Sequence, residues 1–378
     1  MRAIYAAWLE WVRTLYTGYF ACVMATGIVS VALLLSDVVA LSRALWVVGF
    51  VLLAGMALVY AVRIIRYPQE LKRDLNDPTT AFGFFTFIAA VGVMATRSAL
   101  SGWTWTPAVL TGIAALVWLG LTYWVVAMLI FTNEKPVERA INGAWLIAIV
   151  ATESLAITWV LLTSFLPAQR ATLQLVSYSF WTFGVLLYLI FIALIMYRFF
   201  FFRVLPGDLK PPYWINMGAM AITTVAGVRL LDAASPSPFL LSVRPYIQGF
   251  TVMMWAWGTW WIPLLLIIGV WKYGVEREPI RYDPALWSIV FPLGMYSTSL
   301  QLLTHIPGLE FLVVTGPASA WIAFAAWALV AAGWIWSAIT GARRALSKGV
   351  QPSQLAEARA AEPAEPLERE DAGVGEVG

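Results

Sequence analysis

The run Ala44–Ile65, ALWVVGFVLLAGMALVYAVRII, holds 22 residues with a single charge, Arg63, near its end. A helix needs about 20 mostly apolar residues to cross the hydrocarbon core of a bilayer, so this run reads as a membrane span. Nine further stretches read the same way. They run roughly Thr17–Leu35, Ala81–Leu100, Pro107–Phe131, Ile141–Thr163 and Ser177–Phe202, then Pro212–Leu231, Tyr246–Tyr273, Pro284–Leu303 and Phe311–Thr340. Strands of a transmembrane barrel alternate over about 10 residues, whereas these runs are continuously apolar. The expected fold is all-α and integral to the membrane, with ten transmembrane helices.

Composition agrees. Of the 378 residues, 61% are hydrophobic, 15% aromatic and only 12% charged, with a mean hydropathy of +0.78. Soluble domains carry about 45–50% apolar and about 25% charged residues. A cytosolic enzyme and a disordered regulator are therefore excluded. Nucleic acid is excluded as a partner too, because the net charge of +3 is small and spread out. A single cysteine, Cys22, permits no internal disulfide and no thiolate metal cluster. A single histidine, His305, permits neither a bis-histidine haem nor a two-histidine metal site. No cofactor and no metal are expected. No G-x-x-x-x-G-K-[ST] occurs, so transport driven by ATP hydrolysis is excluded as well.

Lys and Arg set the expected orientation. Connections from odd to even spans carry only Arg43, Arg97, Arg170, Arg229 and Arg244. The opposite connections and nearby span ends carry Arg63, Arg66, Lys72 and Arg73, then Lys135, Arg139, Arg198, Arg203, Lys210, Lys272, Arg277 and Arg281. Both termini are thus predicted to be cytoplasmic, in a plasma-membrane protein. Residues 1–16 contain Arg2, Glu10, Arg13, Trp8 and Trp11 and read as an interfacial amphipathic helix. Residues 17–340 form the ten-helix domain. Residues 341–378 become rich in Ala, Pro and Glu and are expected to be a disordered cytoplasmic tail.

A long-period repeat lies in the odd spans. Each holds a small or hydroxyl residue followed by threonine: Ala25-Thr26, Ala95-Thr96, Ala151-Thr152, Thr223-Thr224 and Ser297-Thr298. Glycines also favour these spans, while even spans are bulkier. Close helix packing accounts for Thr and Gly at any single site. The functional reading puts the odd helices around a central path lined by Thr26, Thr96, Thr152, Thr224, Thr298 and Gly294, with the even helices against lipid. Pro292, inside the ninth span, removes one backbone hydrogen bond and opens that helix locally.

The segment Thr17–Ser30, TGYFACVMATGIVS, resembles the first helix of the tellurite-resistance/dicarboxylate transporter family. Trp287–Met295, WSIVFPLGM, resembles its ninth. The same superfamily includes guard-cell slow anion channels and fungal malate and sulfite transporters, and the resemblance runs from about Tyr16 to Thr340. It implies five helical hairpins in a quasi-five-fold ring, inner helices around an anion pore, and a homotrimer with one pore in each protomer. It also implies that the phenylalanine before the ninth-helix proline, here Phe291, plugs the pore. An apolar ring at a constriction blocks ions by excluding their hydration water.

Glu153 is the carboxylate inside the fifth span, and burying it is costly unless it is paired, hydrated or protonated. Aligning the repeats sets Arg97 against it at the same depth, so one reading is a buried Arg97–Glu153 pair. The other is a titratable carboxylate that couples proton and anion movement. Asn142 and Asn216 read as helix caps and His305 as an exposed loop residue. Arg229 and Arg244 read as solvent-facing loop residues, with attraction of anions at the outer side as the functional alternative, and Trp287 as either interfacial packing or pore lining. Asp74–Pro78 reads as a turn, not a metal site. The leading expectation is passive anion flow gated by Phe291 and Pro292, with small inorganic anions or organic acids as solutes and membrane lipid around them. The alternative is proton-linked export of a malate-like dicarboxylate, sulfite or tellurite. A membrane redox subunit or enzyme is the distant third.

Overall fold

The computed structural model describes residues 2–348. It consists of thirteen α-helices joined by short turns, with no strand among the described residues. In chain order they are α1 (Arg2–Arg13), α2 (Ala21–Leu35), α3 (Val39–Arg66), α4 (Pro68–Leu75), α5 (Phe85–Leu100), α6 (Trp105–Phe131) and α7 (Val137–Ala140). Then come α8 (Ile147–Leu162), α9 (Arg170–Phe201), α10 (Ile215–Leu231), α11 (Pro238–Gly269), α12 (Trp287–Leu303) and α13 (Thr315–Lys348).

Two populations separate by length and burial. Helices α2, α5, α8, α10 and α12 have 15, 16, 16, 17 and 17 residues. Helices α3, α6, α9, α11 and α13 have 28, 27, 32, 32 and 34. The apolar window that includes α8 is 89% buried, against 22% for that of α3. The short helices contact one another in a closed cycle: α2 on α5, α5 on α8, α8 on α10, α10 on α12, and α12 back on α2. Each long helix packs against the short helix that precedes it. The short helices are thus inner and the long ones outer. Small residues permit the close inner approach: a Cβ on Gly92 would stand 2.5 Å from Ser154 Oγ, and one on Gly218 would stand 2.8 Å from the Pro292 ring. Outer helices expose Val51, Leu58, Leu116, Ile190, Ile267 and Leu329. So much exposed aliphatic surface suits lipid, not water.

Among the described residues, nine helices, counted with their entry turns, are long and apolar enough to cross a membrane. The tenth apolar helix, α2, is shorter, and its 15 residues rise about 22 Å. A hydrogen-bonded turn over 17–20 precedes it and adds about 8 Å at a 3₁₀-like rise, which restores a membrane-spanning length. The other inner helices are entered likewise, through 3₁₀ turns at Ala81–Phe84, Gly143–Leu146, Pro211–Trp214 and Pro284–Leu286.

Several boundaries differ from the sequence expectation. Helix α9 starts at Arg170 and not near Ser177, and α11 starts at Pro238 and continues through Pro245 and Pro263. Helix α13 runs on to Lys348, so the first part of the expected tail is helical; the rest lies outside the described residues. Helix α1 packs against α3 and α13, burying Val12, while Tyr5 and Trp8 stay exposed. Of the expected turn Asp74–Pro78, Asp74 and Leu75 are still the end of α4, and the chain turns from Asn76 onward. Asp74 accepts from buried Arg63 at 2.5 Å, and Asp77 pairs with Lys135 at 2.8 Å. Burial raises the Asp77 carboxyl, but hydrogen bonds from Lys135 and Thr79 outweigh it and leave the group below the usual carboxylate value.

Candidate functional site

A narrow internal cavity lies between the inner helices, with room for about one water. Its wall repeats an i, i+3 pattern on all five, which places two residues of each helix one above the other on a single face. Ile28, Val93, Ser154, Ile222 and Met295 form one layer. Val31, Thr96, Ile157, Val225 and Thr298 form the next, toward the C-terminal ends, and Arg229 stands one turn beyond Val225.

Two of the five expected threonines, Thr96 and Thr298, line this cavity. The other three do not. Thr26 and Thr152 each come two residues before a wall residue, a rotation of about 200° that turns them outward. There they accept hydrogen bonds from tryptophans of the outer layer: Trp327 Nε1 to Thr26 at 2.9 Å and Trp118 Nε1 to Thr152 at 2.9 Å. Thr224 precedes the wall residue Val225 by one position, which turns it about 100° away, and donates to the Met220 carbonyl at 2.8 Å. Gly294 is not a wall residue either. A Cβ there would stand 2.9 Å from Ile28 Cγ2, so its smallness brings α12 onto α2.

Phe291 is fully buried. It precedes Met295 by four residues and Thr298 by seven, which puts it on the cavity-facing side of α12, one turn nearer the N-terminal end. Counting back four residues from the first layer on the other inner helices gives Met24, Ala89, Val150 and Gly218. Phe291 is thus the one aromatic residue among the five equivalent positions of this layer. The Pro292 ring beside it packs on Gly218 of α10.

Arg97 and Glu153 form no ion pair, which corrects the pairing expected from their equal depth. Arg97 follows the wall residue Thr96 by one position, while Glu153 precedes the wall residue Ser154 by one. The two side chains therefore leave their helices on opposite sides of the cavity-facing direction. Arg97 turns toward α2 and α3, where Nε donates to Ser30 Oγ at 2.9 Å and Nη2 to Ser42 Oγ at 3.0 Å. A third donor reaches Ser101, and the guanidinium lies 5.1 Å from the Trp46 ring centroid. Glu153 turns toward α9 and α10, where Oε1 lies 3.1 Å from Thr223 Oγ1 and the carboxylate crowds Gly184. Its Oε2 is buried and has no partner among the described residues.

The remaining polar residues divide. Asn142 caps the turn before α8, accepting from Ala144 N at 2.8 Å. Asn216 is no cap: it lies inside α10, fully buried, with neither amide atom hydrogen-bonded among the described residues. Trp287 is buried edge-on against Trp334, 6.2 Å between centroids. His305 is exposed and meets Asp232 at 2.6 Å. Arg244 donates to the Leu231 carbonyl at the end of α10 at 2.8 Å. Arg229 is a second residue that the sequence reading misplaced. It belongs to the last turn of α10 and faces the cavity, not a solvent loop. Ser154 and the serine cradle of Arg97 were missed outright. The available signal was a charge within the last turn of a short, otherwise apolar span.

The voltage-dependent anion channel family matches residues 15–335. A protein of Methanocaldococcus jannaschii described as an uncharacterized transporter is 26% identical over 339 residues, covering 84% of this chain and 93% of the relative. A second such protein of that organism is 27% identical over 335 residues, covering 85% and 92%. A Mycobacterium tuberculosis protein described as an uncharacterized membrane protein is 39% identical over 140 residues, 36% of this chain and 69% of the relative.

Proposed function

Because the chain belongs to the voltage-dependent anion channel family, we propose that it passes small inorganic anions or organic acids along the axis of its inner helices, with Phe291 as the gate. The observation that carries this reading is the cavity to which all five inner helices contribute equivalent positions, with a cationic side chain in its wall and one buried ring beneath it. Gating then consists of a rotamer change at Phe291 that takes the ring off the axis. A homotrimer with one path in each protomer, sited in the plasma membrane with both termini cytoplasmic, completes the proposal. The bias of Lys and Arg toward one set of connections supports that orientation.

A second reading, proton-linked carriage of a malate-like dicarboxylate, sulfite or tellurite, is favoured by Glu153 alone. Its unpartnered Oε2 lies on the residue next to the wall residue Ser154.

Anion flux into proteoliposomes tests both. Phe291→Ala is expected to raise flux strongly with little change in melting temperature, and Phe291→Leu to do so less. A ring that merely packs a core would cost about 3–5 kcal/mol on truncation to Ala and leave flux unchanged, and that outcome removes the gate. Uptake driven by a pH gradient alone would select the proton-linked reading.

A further inference from the structure

The cavity wall is aliphatic apart from Thr96, Ser154, Thr298 and Arg229. Two of these have already spent their hydrogens on their own helices: Ser154 donates to the Ala151 carbonyl at 2.7 Å and Thr298 to that of Gly294 at 3.0 Å. Thr96 and Arg229 make no hydrogen bond among the described residues, and Arg229 Nε is buried without a partner. The donors left for a guest are therefore one hydroxyl on α5 and one guanidinium on α10, helices that face each other with α8 between them on one side.

Charge bookkeeping sharpens this. A guanidinium drawn partly out of water without a hydrogen-bonded counter-charge is costly to the fold, and Arg229 is half-buried with its Nε fully enclosed. Asp232, three residues on, is near enough to act on Arg229 through its charge, but its Oδ2 is held by His305 Nδ1 at 2.6 Å, and Arg229 forms no direct ion pair among the described residues. Arg97, the other arginine on an inner helix, donates to three serine hydroxyls and lies against a tryptophan face. Arg229 has nothing comparable. A mobile anion entering the cavity supplies the direct partner.

We propose that Arg229 and Thr96 form a binding station for one small monovalent anion, the point on the path where the solute is held by protein donors in place of water. The assignment rests on the anion-pathway reading above and narrows it. One cation balances one negative charge, and a cavity with room for about one water is far closer in size to a halide or a planar oxyanion than to a dicarboxylate. Guanidinium N–H groups suit either guest because they present donors in a planar fork.

The purified protein is melted in sodium chloride, nitrate, sulfate or gluconate at matched ionic strength, and flux is measured against anion concentration in proteoliposomes. Chloride or nitrate is expected to raise the melting temperature above that in gluconate. Arg229→Gln is expected to abolish that difference and to raise the half-saturating concentration at least about tenfold, the scale of one lost charge-assisted hydrogen bond. Arg229→Lys should retain most of both effects. Thr96→Val removes only the hydroxyl and should raise half-saturation several-fold, which keeps the test alive if Arg229→Gln does not fold. Unchanged half-saturation in Arg229→Gln or Thr96→Val, with wild-type flux present, overturns the station and leaves the pathway standing. Stabilisation by sulfate equal to that by chloride overturns the monovalent assignment. Absence of flux in the wild type, with anion-dependent melting that is lost in Arg229→Gln, keeps the station and overturns the pathway.

Discussion

Arg97 is kept inside a helical bundle by hydroxyl groups and an aromatic face, with no carboxylate among its partners. Ser30 and Ser42 also accept from and donate to each other's segments, since Ser30 Oγ reaches the Ser42 carbonyl at 2.7 Å and Ser42 Oγ the Ser30 carbonyl at 2.6 Å. Losing the guanidinium strands neither serine, so Arg97→Ala should cost about 2 kcal/mol through its own lost hydrogen bonds and packing. Glu153 shares no partner with it. Stability losses in Arg97→Ala and Glu153→Ala are therefore expected to add within about 0.5 kcal/mol in the double variant, as read from denaturation curves. Rescue in the double variant would mean that the two charges meet after all. The sequence marked both residues as unusual, correctly. Their depths were legible from the repeat; the directions in which they point were not, because a shift of one residue on a helix turns a side chain by about 100°.

At the scale of elements, the apolar runs fixed which segments are helices, and the span Pro284–Leu303 agrees at both ends. Helix ends beyond the hydrocarbon were not legible, because Arg170–Leu175 carries no continuous apolar signal and becomes helical by extension from α9. The 3₁₀ entries were equally hidden. The threonine doublets illustrate a third limit: all five repeat along the chain, but they do not share one register against the cavity. Thr26 faces Trp327 and holds two layers together. Trp327→Phe and Thr26→Val should each lower stability by about 0.5–1.5 kcal/mol, the worth of one hydrogen bond, without altering anion flux. A changed flux at unchanged stability would return Thr26 to the path.

For the whole molecule, alternation of short inner and long outer helices brings every inner helix to the same end by its N-terminus. Connections near that end carry Lys72 and Lys210, both exposed, while Arg43 is exposed at the other. Cysteines placed at Lys72 and Lys210 are expected to react only with reagent on the cytoplasmic side, and a cysteine at Arg43 only with reagent outside. The native Cys22 is buried and leaves the background low. Reversed labelling at two of the three sites would invert the orientation. Family membership was legible from Thr17–Ser30 and Trp287–Met295, and the match over 15–335 bears it out.

The parallel course of the inner helices has an electrostatic consequence. Each peptide stack carries a macrodipole equivalent to about half a positive charge at its N-terminus and half a negative charge at its C-terminus. Five such stacks pointing one way would make one mouth of the axis attractive to anions and the other repellent. Arg97 and Arg229 occupy the last turns of α5 and α10, at the end where the negative poles gather. The two cationic charges there oppose those negative poles, while Asp232 at the C-cap of α10 returns part of the negative charge, so an anion on the proposed path would meet a smaller difference between the two mouths than the helices alone would set.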